Sequence, residues 1–414
     1  MNTASSSSNS WTVRLGWEHT HREMLAALIF LHLVEQRGNR WSLEHVEELV
    51  ATSSDPEILF IPFYYDEQDL EKYLFRGDLR GKWLVNLAFE QMHFACGRSY
   101  LLPDGRFARD EMVHCAWGDR FRNLLIEHGI PPERIRMTGH PRFDIYSHPE
   151  LLYTRAELAA QFGLDPERMW ILVPHNFNFA FVSKQLIQQL AARRYHVTDE
   201  FVEGVRLARD AFKEMVDELA DAFPDAELIL RVHPAGYEDE SHYRNGLQNK
   251  RRITAIAQYD IANWITQAAL TIVWNSTSAM EAMVAGRPVV SYEPFPFAER
   301  FDFDVNRIVP TFSRKDDLFE VVGSLPDPKL TYDWELFEQW YRYRDGRNLE
   351  RLADVVREAQ TSPESFASRT KGVGLKGSLR RLRRPPEAAH APPARPLAEA
   401  VRSLSARPLE QFLR

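Results

Sequence analysis

Cysteine is nearly absent from these 414 residues: Cys96 and Cys115 are the two, with eighteen residues between them. No zinc motif accompanies them. Neither a disulfide framework nor a structural zinc site is expected. Long apolar runs are also lacking. The longest, Met24 to Val34, is broken by His32 and falls short of the ~20 residues a membrane-spanning helix needs. The first ten residues are polar and serine-rich, without the basic and apolar regions of a secretory leader. These absences make a reducing, cytoplasmic setting the expectation. They leave the glycosylation-type triplet Asn275-Ser276-Thr277 with little reason to be modified. No repeat recurs at solenoid spacing.

What is present is globular. Hydrophobic residues make up 44% and charged residues 27%, and the length asks for two domains rather than one core. Aromatics reach 12%, with ten Trp, enough to fill cores or to line a carbohydrate pocket; composition does not separate the two. Charge is uneven. From Arg369 onward there are eleven Lys/Arg and three Asp/Glu, so the total of −8 divides into −16 over residues 1–368 and +8 over 369–414. An acidic body with a basic tail points to an anionic partner. Within the tail, Lys376 to Arg384 holds five basic residues interleaved with Leu379 and Leu382. That pattern suits an anionic membrane surface as well as a merely solvated tail, and no nucleic-acid motif stands behind it.

Periodicity predicts alternating strands and helices. Trp11 to Gly38 reads as a strand and then a helix from about Arg22 to Gln36. Leu43 to Thr52 reads as a second helix capped by Ser42. Strands follow at Ile58–Tyr64, Trp83–Phe89 and Met112–Trp117, then a helix at Asp119–His128 and a short strand at Arg134–Thr138. After a polar helical connection, a second block repeats the pattern. It has strands at Trp170–Val173, Glu227–Val232, Leu270–Trp274 and Val289–Tyr292. Its helices are Glu200–Phe223, Ile261–Ala269 and Thr277–Ala285. The expected organisation is an α/β protein of two Rossmann-like domains. The N-terminal, acceptor-side domain covers 1–146 and a connection covers 147–168. A nucleotide-sugar-binding domain covers 169–330, with closing helices over 331–360. The basic tail, 361–414, is expected to be mostly disordered, with a short helix near Leu397–Leu404.

In parallel sheets ligands gather at the carboxyl ends of strands. Four polar segments fall there in the second block: Pro174-His175-Asn176-Phe177-Asn178, Arg231-Val232-His233-Pro234, Asn275-Ser276-Thr277-Ser278 and Glu293-Pro294. Hydroxyls and N–H groups at a helix start suit phosphate, and Glu281, one turn on, suits a ribose diol. An ordinary Ser/Thr cap is the plainer alternative. His233, stiffened by the following Pro, is placed to meet phosphate or carboxylate as a cationic or donor imidazole; a structural turn histidine is the alternative. In the first block, Gly139-His140-Pro141-Arg142-Phe143-Asp144 ends the sheet. Arg142 and Asp144 read as a pair that fixes the linker. Glu90 and Asp104 are the candidate bases, each against the plainer reading of a solvated loop carboxylate.

Taken in order, Ala116-Trp117-Gly118, Thr138 to Asp144, Pro174 to Phe177, Arg231 to Pro234, Ser276 to Ala282 and Gly286-Arg287-Pro288 resemble the surface carbohydrate biosynthesis proteins. These are GT-B-type relatives of capsule and lipopolysaccharide sugar transferases. The resemblance covers about Ala88 to Glu293. It implies two domains around a cleft, no metal or other cofactor, and transfer from a nucleotide-linked sugar to a glycan or lipid-linked acceptor at the inner face of the membrane. The His-Pro and Ser/Thr elements are similar to those of sialyl- and Kdo-transferases, in which His meets the donor and the hydroxyls hold phosphate. That assigns donor contacts to His233 and Ser276–Ser278, alongside His175, Asn176, Arg231 and Asn275. Pro103 stands where the sialyltransferase base motif has its first acid. The Gly-x-Pro-Arg element is shared with CDP-glycerol-type polyol-phosphate transferases, and a non-catalytic nucleotide-sugar-binding relative is a third expectation.

Overall fold

The structure is a computed structural model. It describes residues 11–46, 48–49, 57–69, 82–192, 194–195, 197–233, 253–295, 297–298 and 301–361. Pro234 and the tail features expected beyond residue 361 lie outside these.

Two six-stranded sheets, parallel throughout, divide the chain. The first contains β1 (Thr12–Trp17), β2 (Arg40–His45), β3 (Glu57–Ile61), β4 (Lys82–Asn86), β5 (Met112–Ala116) and β6 (Ile135–Met137), ordered β2-β1-β3-β4-β5-β6. The second contains β7 (Met169–Pro174), β8 (Ala226–Arg231), β9 (Ile253–Ile256), β10 (Leu270–Val273), β11 (Val289–Tyr292) and β12 (Thr311–Phe312), ordered β12-β11-β10-β7-β8-β9. Parallel strands are covered on both faces and so read as continuous apolar runs. Ile58-Leu59-Phe60-Ile61 and Trp170-Ile171-Leu172-Val173 are fully buried for this reason.

The helices that position the site are α1 (Thr20–Gln36), α2 (Asp119–Glu127), α3 (Arg155–Phe162), α4 (Asp199–Ala222), α5 (Ser278–Val284), α6 (Trp334–Trp340) and α7 (Asn348–Thr361). In α4, Val205, Ala208, Phe212, Val216 and Leu219 are buried at the expected helical spacing. α3 lies in the connection between the sheets. It opens with a Thr154/Glu157 capping box and ends at Gly163 in the left-handed region.

One predicted helix is a strand instead. Arg40–His45 pairs in parallel register with β1, Ser42 opposite Arg14. Ser42 therefore caps nothing, and its hydroxyl donates to Glu44 Oε1 at 2.6 Å. The apolar spacing of Leu43, Val46 and Leu49 looks helical, but pairing with β1 and the Arg14–Glu44 ion pair at 2.5 Å decide the backbone. The helix expected over Ile261–Ala269 shrinks to Ala262–Ile265.

The last described helix returns to the first sheet. Leu349, Leu352, Val355 and Val356 of α7 join Leu25, Ile29 and Phe30 of α1 in one buried cluster, each burial being worth about 1.5–3 kcal/mol. Two glycines make the seam possible. A Cβ on Gly118 would sit 2.4 Å from the backbone of Gln339 and Trp340. Gly139, at φ 74°, passes so close to Asn348 that no side chain fits.

Candidate cleft between the two sheets

Counted from β7, the second sheet has strand order 3-2-1-4-5-6, which reverses between β7 and β10. Ligands of doubly wound sheets bind at that reversal, beyond the strand ends. Here the crevice edges are Pro174 to Asn178 and Asn275 to Ser278, tied by a parallel bridge from His175 to Trp274. β8 brings Arg231 and His233 alongside.

Several buried side-chain atoms at this edge lack a hydrogen-bond partner: Asn176 Oδ1, Asn178 Oδ1, Arg231 Nε and Asn275 Nδ2. Asn275 takes φ 45°, and its Oδ1 accepts from Asn306 at 2.9 Å. Ser276 and Ser278 join hydroxyl to hydroxyl at 2.6 Å. Thr277 holds the cap position of α5 without a side-chain cap bond, while the Ser276 hydroxyl accepts from Ser278 N at 3.4 Å, a local cap of the ordinary kind. Arg231 donates to the Val232 carbonyl at 3.0 Å and the Tyr259 carbonyl at 2.8 Å. Burial pulls it down to about 10.

Asn178 Nδ2 lies 2.8 Å from His233 Nδ1; with the amide so oriented, the ring proton sits on Nε2. Burial, then Arg22, lowers the imidazole to about 3. Of the cationic or donor imidazole expected from the sequence, the cationic form is corrected, while a neutral ring with its proton on Nε2 keeps the donor form. His175 is buried against Phe177, ring centroids 5.2 Å apart.

Across the cleft the first sheet reverses between β1 and β3, and the residues after β1 are Glu18-His19-Thr20-His21-Arg22-Glu23. Sequence reading passed over this run as the entry to a helix; its signal was a dense charged stretch at a strand end. Arg22 donates to Glu90 Oε1 at 2.9 Å and to Glu23 Oε1 at 2.7 Å. Desolvation raises the Glu90 carboxyl, but the charged Arg22 guanidinium that donates to it outweighs this and holds the group below the usual carboxylate range. Glu90 thus stands in the cleft as an anion. Asp104 does not join it. Its side chain is 46% exposed and faces Arg109, Arg194 and His128 at 3.8–3.9 Å.

Two further expectations are corrected. Arg142 does not pair with Asp144. It reaches Asp260 at 2.7 Å and Glu281 at 2.8 Å, while Asp144 accepts from Asn348 Nδ2 at 2.8 Å and Leu349 N at 2.7 Å and so ties down the start of α7. Glu281, expected to face a ribose, has both oxygens engaged by Arg142 and Tyr146. The spacing that placed it one turn from the hydroxyls was right; the buried guanidinium from another segment was not visible in it. At the end of β11, burial and then Asp302 push Glu293 up to about 7. Among the described residues no group of three His, Cys, Asp or Glu is placed to hold a metal ion, and no helix is long and apolar enough to cross a membrane.

The fold is similar to that of a variant of the wall teichoic acid polymerase TagF, with TM-score 0.54 and 12% identity over 86% of this chain and 90% of that one. A TagF structure soaked with CDPG gives 0.52 and 11% over the same shares. A putative UDP-N-acetylglucosamine 2-epimerase from Listeria monocytogenes aligns over 84% of this chain and 96% of its own at TM-score 0.49 and 13% identity. No curated protein matches in sequence. At such identities the likeness is one of fold, the two-sheet GT-B arrangement. Residues 196–294, which supply β8, β10, α5 and β11 around the crevice, match the family described as capsule polysaccharide biosynthesis protein. This GT-B-type chain is therefore similar, over residues 196–294, to the capsule polysaccharide biosynthesis proteins.

Proposed function

We propose that the chain transfers a glycosyl group from a nucleotide-linked donor to a hydroxyl of a growing surface glycan or its lipid-linked precursor. The observation that carries this reading is the gathering of buried, partnerless donors and acceptors on the β7/β10 reversal, opposite the anionic Glu90. Each such group costs about 1–3 kcal/mol while unmet. A ligand rich in oxygen and N–H groups recovers that, as a nucleotide sugar does. Arg231, neutral His233 and the Ser276, Thr277 and Ser278 hydroxyls face the donor's phosphate; Asn176, Asn178 and Asn275 face its polar edges.

In the step itself, the acceptor oxygen bonds to the anomeric carbon. The bond from that carbon to the donor phosphate breaks, and its electron pair leaves with the nucleotide. The acceptor's proton passes to Glu90, which Arg22 keeps ionised and so able to receive it. The basic run 376–384, outside the described residues, would add about 1 kcal/mol per cation toward an anionic membrane surface.

The Gly139-His140-Pro141-Arg142 element supports a second reading, polyol-phosphate transfer in the same cleft. The deciding measurement is thermal stabilisation by CMP, CDP, UDP, GDP and their sugar conjugates, with and without divalent metal. It is followed by turnover with a CMP-linked acidic sugar against CDP-glycerol. A hundredfold excess over Kd stabilises by about 2.7 kcal/mol. CMP or UDP response with sugar turnover supports the first reading, and CDP-glycerol turnover the second. No response to any nucleotide ends both and leaves a glycan-assembly binding protein.

A further inference from the structure

A guanidinium has five N–H donors, and on Arg142 each meets an acceptor. Nε donates to Glu281 Oε1 at 3.1 Å. Nη2 donates to Glu281 Oε2 at 2.8 Å and to Asp260 Oδ1 at 2.9 Å. Nη1 donates to Asp260 Oδ2 at 2.7 Å and to the backbone carbonyl of Arg22. The residue is 5% exposed. Its partners are themselves held. Tyr146 Oη donates to Glu281 Oε2 at 2.9 Å, and Ala262 N to Asp260 Oδ1 at 2.9 Å.

One side chain therefore joins three segments. Asp260 follows β9 and Glu281 lies on α5, both in the donor-side half. Arg22 opens α1 in the other half, and its own side chain meets Glu90 at 2.9 Å. We propose that Arg142 is a positioning residue: by clamping the Arg22 carbonyl against the donor-side carboxylates, it fixes where the Arg22 guanidinium meets Glu90. A change at the donor crevice reaches the acceptor-side carboxylate along the path Glu281, Arg142, Arg22, Glu90. Lysine cannot reproduce the path, since an ammonium lacks the planar fork. The catalytic meaning of this inference rests on Glu90 receiving the acceptor proton; the contact itself does not.

The test is carboxyl footprinting of the full chain with a carbodiimide and glycine ethyl ester, read by mass spectrometry across pH. Glu90, 42% exposed in its side chain, is open to the reagent, which labels protonated carboxyls. The charged and titratable groups facing it are Arg22 and His19 from the start of α1, His93 on its own loop, His233 after β8, Tyr65 after β3 and Tyr195 before α4. In Arg142→Lys, Glu90 labelling at pH 6 is expected to rise at least about threefold as Arg22 loosens, while exposed Glu338 stays as in the parent. Tyr146→Phe, which spares the Arg22 clamp, should leave Glu90 unchanged. If Arg142→Lys does not fold, Asp260→Asn replaces it and should give a smaller rise in the same direction. Unchanged Glu90 labelling in the folded variant, or an equal rise in Tyr146→Phe, overturns the proposal and reduces Arg142 to a structural tie. Nucleotide stabilisation of the parent is read separately, so a failed donor reading leaves the footprint result standing.

Discussion

Asn178 Nδ2 stands 2.8 Å from His233 Nδ1 across the ends of β7 and β8, which fixes the ring and leaves its proton on Nε2. Asn178→Ala and His233→Ala should each weaken nucleotide binding about 5–30-fold, the cost of one or two lost hydrogen bonds. Neither should lower the melting temperature by more than a few degrees. Isothermal titration beside thermal unfolding checks both; variants that bind as the parent does would move the site elsewhere.

The depressed imidazole also predicts a pH effect. A His that titrates at about 3 when folded and near 6.5 when unfolded lets the unfolded chain bind more protons between those values. Stability contributed by the neutral ring is present above pH ~6.5 and is lost as pH falls toward ~3. His233→Gln should flatten the decline of unfolding free energy between pH 6.5 and 4.5. Urea titrations at those two values measure it, and an equal decline in variant and parent would contradict the assignment.

Glu293 works in the opposite sense. Burial and Asp302 raise it to about 7, so its protonated form is favoured in the folded state, and that contribution is lost as pH rises from about 4.5 through 7. Glu293→Gln should raise the melting temperature at pH 8 by a few degrees and leave it unchanged at pH 4.5. A gain of the same size at both pH values would point to packing rather than charge.

If Glu90 takes the acceptor proton, Glu90→Gln should lower kcat about 10²–10⁴-fold with donor Kd within twofold. Asp104→Asn, whose carboxyl faces Arg109 and Arg194 instead, should stay within threefold of the parent. Once a donor is identified, initial rates and binding of that donor decide it; comparable losses in both variants would place the base at neither position alone.

What was legible in the sequence follows from chain-local physics. Strands buried on both faces show as apolar runs, and α4 shows through Val205 to Leu219. The polar ends of β7, β8 and β10 were therefore placed correctly, and the strand order then brought them together. What was not legible depends on distant partners. The stretch from Leu43 has helix-like spacing through Val46 and Leu49, and pairing with β1 makes its start, up to His45, part of a strand. Arg142 has an acid two residues away in Asp144, yet its carboxylates come from positions 118 and 139 residues further along. The run Glu18 to Glu23 gave a charge signal, but only the facing sheet gives it a role opposite His233.

The return of α7 to α1 has a consequence for synthesis on the ribosome. The apolar stripe of α1, complete once residue 34 is made, shares its buried cluster with Val13, Phe60 and Val85 of the first sheet, but its side toward α7 waits for Leu349 to Ala359. More than three hundred residues at about 5–20 per second keep that side open for some fifteen seconds to a minute. During that time the nascent first half presents a half-covered apolar helix to whatever is nearby. Chaperone demand should thus be highest for the chain's earliest segment, and a truncation before residue 348 should aggregate through α1 although every strand of both sheets is present.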